Sequence, residues 1–192
     1  KNGRIVELDY YVLEKTAQML QNQQKKGLPV VPVSVYVSAL HAADENTVDK
    51  YLAVLQKYDL SPALFQVEIT ESATVFNYHN VRQMFARFQQ AGFTTALDDF
   101  GAGFSIMNLI ADIPLDVVKL DRIFVEKCEY SKRGDFFLHQ VIQLLKGLGF
   151  TVLSEGVERK DQAEMLGKAG CDLMQGNWFS APVPGEEFAE LL

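Results

Sequence analysis

The stretch TTALDDFGAGFS, Thr94 to Ser105, sets two carboxylates side by side at the end of an apolar, β-branched run, and a Phe and a Gly-Ala-Gly turn follow directly. Adjacent Asp residues repel each other and form strands poorly, so the pair predicts a strand whose C-terminal end holds something. Five other runs share the plan: PVSVYVS (Pro32–Ser38), FQVEIT (Phe65–Thr70), DVVKLD (Asp116–Asp121), TVLSEG (Thr151–Gly156) and DLMQGN (Asp172–Asn177). Between them lie helical stretches at Val6–Lys26, Glu45–Tyr58, His79–Gln90, Phe136–Leu148, Lys160–Ala169 and Gly185–Leu192. In the third, Val81, Met84, Phe85 and Phe88 have the spacing of one buried helical face, and Gly92, Gly149 and Gly170 close helices just before the next strand. Apolar strands each followed by a helix predict a parallel sheet covered by helices.

A doubly wound open sheet and a (β/α) barrel both satisfy that order. The polar residues favour the barrel. They stand at or just past the strand ends: Glu68 and Glu71, Asp98 and Asp99, Lys119 and Asp121, Glu155, and Gln175. A barrel gathers such ends into one ring, whereas an open sheet spreads them along a line.

Composition narrows the function. The chain has 192 residues, 48% hydrophobic and 22% charged, which suits one soluble domain with one sizeable core. A net charge of −7 argues against a polymeric nucleic-acid partner. Cys128 and Cys171 have neither metal-ligand nor disulfide-framework spacing, and no signal peptide or membrane-spanning run is present. A reducing cytoplasm fits, either for a free protein or for the cytosolic part of a membrane-anchored one. The chain begins abruptly on a helical pattern, as a piece of something longer would.

Glu68, Asp98, Asp99 and Glu155, ionised in one small cleft, would repel strongly unless something cationic shared it. Two or three hard divalent ions held by oxygen ligands would do so, with one Asp bridging two ions and its neighbour binding the second, as in two-metal phosphodiester cleavage. Lys119 adds a donor that orients a water or neutralises a phosphoryl oxygen. Each residue also has an ordinary reading: a cap or turn for Asp98–Asp99 and Glu71, a solvated loop acid for Glu155, a snorkelling side chain for Lys119, a turn for Gln175. Those readings require five coincidences at the same end of successive strands.

With these residues placed, VEITES, LDDFGAGFS, LDVVKLDRIFV, SEGVE and MQGNWFSAPVP resemble, in order, the signatures of EAL-domain cyclic di-GMP phosphodiesterases, and NGRIVELDYYVLEKTAQML resembles that family's early helix. The resemblance implies a TIM-like (β/α)8 barrel, here lacking its first strands, over residues 1–192. It implies hydrolysis of cyclic di-GMP to linear pGpG with Mg²⁺ or Mn²⁺ at two sites, Ca²⁺ being inhibitory. By resemblance Glu68 and Asp98 are metal ligands, Asp98 bridging. Asp99 completes the second metal site, Glu155 holds it from the opposite wall, Lys119 positions the attacking water and Gln175 supports the pocket. Glu71 anchors the loop Phe100–Met107, which couples the site to dimer contacts, and Asp121 and Glu158 line the nucleotide pocket. A homodimer and an upstream GGDEF or sensor domain are implied too.

The chain departs from the pattern in three ways. The Glu-Ala-Leu motif and its following Arg are absent from these residues. Tyr36 stands where the family has a metal-binding Asn, and a neutral phenol is a poor Mg²⁺ ligand. Ile106 and Met107 replace the loop's usual Ser and Leu. Two readings therefore stand: a working phosphodiesterase, and a degenerate domain that binds cyclic di-GMP or a protein partner without turnover.

Overall fold

The computed structural model describes residues 4–76, 78–102, 110, 112–129 and 131–192. Helix α1 (Arg4–Lys25) leads into strand β1 (Val33–Tyr36), a 3-10 turn (Ala39–Ala43), helix α2 (Thr47–Lys57) and a second 3-10 turn (Pro62–Leu64). Strand β2 (Phe65–Thr70), helices α3 (Glu71–Phe76) and α4 (Tyr78–Gln90), and strand β3 (Thr94–Phe100) follow. The chain continues through β4 (Val117–Leu120), α5 (Arg122–Glu129), α6 (Lys132–Gly147), β5 (Thr151–Ser154), α7 (Lys160–Ala169), β6 (Leu173–Met174) and α8 (Gly185–Phe188). The strands keep sequence order in one six-stranded sheet, and the pairs β1/β2, β3/β4, β4/β5 and β5/β6 are parallel. The α/β class and all six strands agree with the sequence reading. Helices α3 and α5 are additional: the first has only six residues, and the second has eight and starts directly after Asp121, the last residue of the expected strand.

Two compact units divide the chain, one of Lys1–Ile69, Ala73–Thr95 and Val183–Leu192, the other of Thr70–Ser72 and Ala96–Pro182. In the first, α1 turns Asp9, Leu13, Ala17, Leu20 and Gln23 inward at helical spacing. Val48, Tyr51 and Leu55 of α2 and Val81, Met84, Phe85 and Phe88 of α4 are buried in the same unit. The rings of Tyr51 and Phe88 meet edge to face at 5.1 Å, and those of Phe88 and Phe93 at 5.2 Å.

In the second unit every residue of β4 is buried, and α6 presents Leu138, Val141, Ile142 and Leu145 inward. The ladder runs on past the strand ends: Asp121 N donates to Phe100 O at 3.1 Å, Glu155 N to Leu120 O at 3.1 Å and Gln175 N to Ser154 O at 2.9 Å. Lys119 is level with Leu153, and Leu153 with Leu173, so strand alternation sets Lys119, Asp121, Glu155 and Gln175 on one face of the sheet. Among the described residues no helix is long and apolar enough to cross a membrane.

Candidate functional site

In the second unit, β3 and β4 pair Ala96 with Val117 and Leu97 with Val118, and then Phe100 with Leu120. Asp98 and Asp99 thus lie opposite the single residue Lys119. This is a β-bulge, a device that re-aims side chains at sites and rims. Asp99 completes it with φ at 59°, a left-handed conformation that Asp adopts more readily than most residues other than Gly. Asp98 is fully buried, and its Oδ1 accepts the Asp99 backbone N–H at 2.9 Å. The pair that breaks the strand's propensity also breaks its pairing, which lets two neighbouring carboxylates serve one place.

Lys119 supplies the cation beside them. Its Nζ lies 2.6 Å from Glu155 Oε1 and 3.5 Å from Asp98 Oδ1, with its side chain only 6% exposed. The ordinary reading, a lysine snorkelling to solvent from a strand end, does not hold. Burial raises the Asp99 carboxyl above its usual pKa, and the negative charges of Asp98 and Asp121 raise it further; Lys119 works against them and Glu71 adds to them. Asp98, Lys119, Asp121 and Glu71 therefore all act on the charge of Asp99.

Glu71 is buried as the first residue of α3, and its Oε2 accepts the Gly101 N–H at 3.0 Å. Gly101 has φ at 92°, and a Cβ there would lie 2.6 Å from the Phe124 ring, so the turn after Asp99 needs glycine. Of the loop Phe100–Met107, only Phe100–Ala102 are described. Ile106 and Met107, and with them the expected loop coupling, lie outside the described residues.

Asp121 also has a helix-end task, since its Oδ1 accepts Ile123 N–H at 2.8 Å at the start of α5. Glu158 is exposed and ion-paired with Arg122. Gln175 is exposed at the end of the β6 ladder. The sequence reading missed Arg122, whose side chain covers Gly156 so closely that a Cβ there would come within 2.7 Å of it. No periodic or motif signal marks that contact.

In the first unit, Glu68 is buried on β2, in register with Tyr36 on β1, and its Oε1 accepts Gln66 Nε2 at 3.1 Å. Tyr36 is 53% exposed. The register puts Tyr36 in the strand position beside Glu68.

Among the described residues, no three Asp, Glu, His or Cys side chains are grouped closely enough to hold a metal ion by themselves. The donors are nonetheless hard oxygens, and burial, with the neighbouring charges of Asp98 and Asp121, raises the Asp99 carboxyl. Mg²⁺ commonly uses one or two carboxylates and completes its shell with substrate phosphates and water, so this donor set fits an ion that binds together with a phosphate ester.

The family model described as "EAL domain" matches residues 1–182. The chain is 30% identical over 191 residues to Cyclic di-GMP phosphodiesterase NbdA of Pseudomonas aeruginosa, covering 100% of this chain and 24% of that protein. It spans about a quarter of the length of the curated relatives it matches. Among solved structures it resembles a PaMucR phosphodiesterase in complex with c-di-GMP, with a TM-score of 0.87 and 26% identity over 97% of this chain and 75% of that one. It also resembles Klebsiella pneumoniae BlrP1 in a manganese/cy-diGMP complex, with a TM-score of 0.83 and 25% identity over 96% of this chain and 47% of that one. Fold, strand-end signatures and family match agree: the chain belongs to the EAL domain family.

Proposed function

We propose that this domain hydrolyses cyclic di-GMP to linear pGpG with Mg²⁺ or Mn²⁺. The observation that carries the reading is the bulge that sets Asp98 and Asp99 opposite Lys119, with Glu155 in contact with the same ammonium. The NbdA name and the c-di-GMP and manganese complexes of MucR and BlrP1 support it by likeness.

On this reading Glu68, Asp98, Asp99 and Glu155 are the oxygen ligands. A bound divalent ion would supply positive charge to the phosphoryl oxygens and make water more acidic. Lys119 holds the Glu155 carboxylate and sets a positive charge where a phosphoryl oxygen would bind. Water adds to phosphorus, the P–O3′ bond breaks, and the proton that water releases ends on the departing 3′ oxygen; a carboxylate of the site carries it. Glu71, through Gly101, fixes the turn after Asp99, and by the family resemblance Asp121, Glu158 and Gln175 would border the nucleotide. The reading extends to a homodimer, for which exposed Ile123, Phe136 and Phe137 offer apolar surface, and to an upstream GGDEF or sensor domain in a cytoplasmic protein.

The register of Tyr36 with Glu68 favours one second reading, binding without turnover. Incubation of the full-length protein with cyclic di-GMP and Mn²⁺, followed by nucleotide chromatography, decides between them. Formation of pGpG supports the enzyme. Tight calorimetric binding of cyclic di-GMP in Ca²⁺ without pGpG in Mn²⁺ supports the receptor, and neither result would refute both.

A further inference from the structure

Asp9 breaks a pattern. It occupies an inward position of α1, on the same stripe as Leu13, Ala17 and Leu20, where a charge is out of place. Its carboxylate reaches the segment that leaves β1: Oδ2 accepts the Ser38 backbone N–H at 3.0 Å and the His41 Nε2–H, also at 3.0 Å. His41 is 1% exposed and Asp9 7%. The His41 carbonyl accepts the Thr47 hydroxyl at 2.9 Å, and the Tyr10 ring packs edge-on against the imidazole at 5.1 Å. One buried oxygen thus ties α1 to both ends of the turn Ser38–His41.

That turn begins two residues past Tyr36. Val37 N donates to Glu68 O at 2.8 Å, and the next amide, Ser38 N, donates to Asp9. Successive amides of an extended chain point to opposite sides, so one grips β2 and the other grips the helix. All of these residues belong to the first unit. We propose that Asp9 is a positioning residue: its buried carboxylate, holding Ser38 and His41 together, fixes the exit of β1 and with it the register that sets Tyr36 beside Glu68. The proposal rests on the reading of Glu68 as a site residue. Asp9 touches no substrate and acts only through the backbone.

Hydrogen exchange of the full-length protein tests the clamp without reference to activity. Asp9→Ala is expected to speed exchange of the Val37, Ser38 and His41 amides at least tenfold, leaving the amides of Val118 and Leu120 unchanged. Asp9→Asn, which keeps an acceptor oxygen, is expected to restore protection. Should Asp9→Ala fail to fold, Asp9→Glu replaces it, its carboxylate displaced by one methylene, with the same local loss expected. Unchanged exchange in the variant, a uniform rise across the molecule, or an Asp9→Asn as unprotected as Asp9→Ala would each overturn the proposal. Calorimetry with cyclic di-GMP and Ca²⁺ supplies the functional readout: affinity is expected to fall at least tenfold in Asp9→Ala and to recover in Asp9→Asn. Equal affinity in Asp9→Ala overturns the positioning role. A wild-type protein that binds no cyclic di-GMP defeats the proposed function instead, and the exchange pattern then decides the clamp alone.

Discussion

Replacing Lys119 with Met removes the buried cation between Glu155 and Asp98 while keeping most of the side-chain volume. The ammonium lies 2.6 Å from one carboxylate and 3.5 Å from the other. At an effective dielectric of about 20, those distances correspond to attractions of about 6 and about 5 kcal/mol. Most of that is offset by the desolvation of the three charges, and removing one partner from a buried ion pair leaves a net cost of about 3–5 kcal/mol. Glu155 is still 25% exposed, which lets water screen its charge and places the expected loss at the lower end, about 3 kcal/mol. For a chain of this length that is a fall in Tm of about 6–12 °C. The assay is thermal unfolding followed by circular dichroism, with a chelator present. Addition of millimolar Mn²⁺ is then expected to raise the Tm of Lys119→Met more than that of wild type, because the ion supplies the missing positive charge. A chelated variant within about 2 °C of wild type, a loss below about 1 kcal/mol, would refute the claim that Lys119 neutralises this cluster.

The raised pKa of Asp99 means that the folded chain holds that proton more tightly than the unfolded one, so its ionisation costs stability above the ordinary Asp value of 3.8 and costs nothing well below it. Asp99→Asn is therefore expected to melt higher than wild type at pH 7 in chelator, with the advantage vanishing on acidification through that value; an advantage that grows towards low pH would contradict the sign. A Cβ at Gly176 would fall 2.2 Å from Val157 O and 2.3 Å from Val157 N, so Gly176→Ala should lose about 1–3 kcal/mol in urea unfolding, and an unchanged midpoint would show that the backbone yields there. Tyr36→Asn restores a neutral oxygen donor beside Glu68 and should raise hydrolysis of cyclic di-GMP with Mg²⁺ or Mn²⁺ at least about tenfold, about 1.4 kcal/mol of transition-state stabilisation. An unchanged rate would acquit Tyr36.

Much of the architecture was legible because hydrophobic period and chain punctuation are local properties. FQVEIT is β2 over the residues expected, Phe65–Thr70, and the helix expected at Lys160–Ala169 is α7. Elements with weak or short local signal were not legible. Helix α3 is under two turns long, and the eight residues of α5 follow β4 after Asp121 alone, which leaves little local signal to separate helix from strand. The strand-end carboxylates were legible as a group because their repulsion needs a compensating charge, whatever the fold.

Residue types and their order determined that acids, one lysine and a glycine turn would stand at the C-terminal ends of parallel strands. Only tertiary structure decided which of them touch. Lys119 meets Glu155 and Asp98 because the registers of β3, β4 and β5 bring those side chains to one face within reach of its ammonium. Asp98 and Asp99 share one partner position because a bulge forms there, and a bulge is a mismatch between two strands that neither strand encodes alone. Arg122 lies over Gly156, and Asp9 holds Ser38, across 34 and 29 residues of chain. Periodicity reports which face a residue takes. It cannot report which distant atom that face will meet, because the partner is set by loop closure and packing of the whole unit.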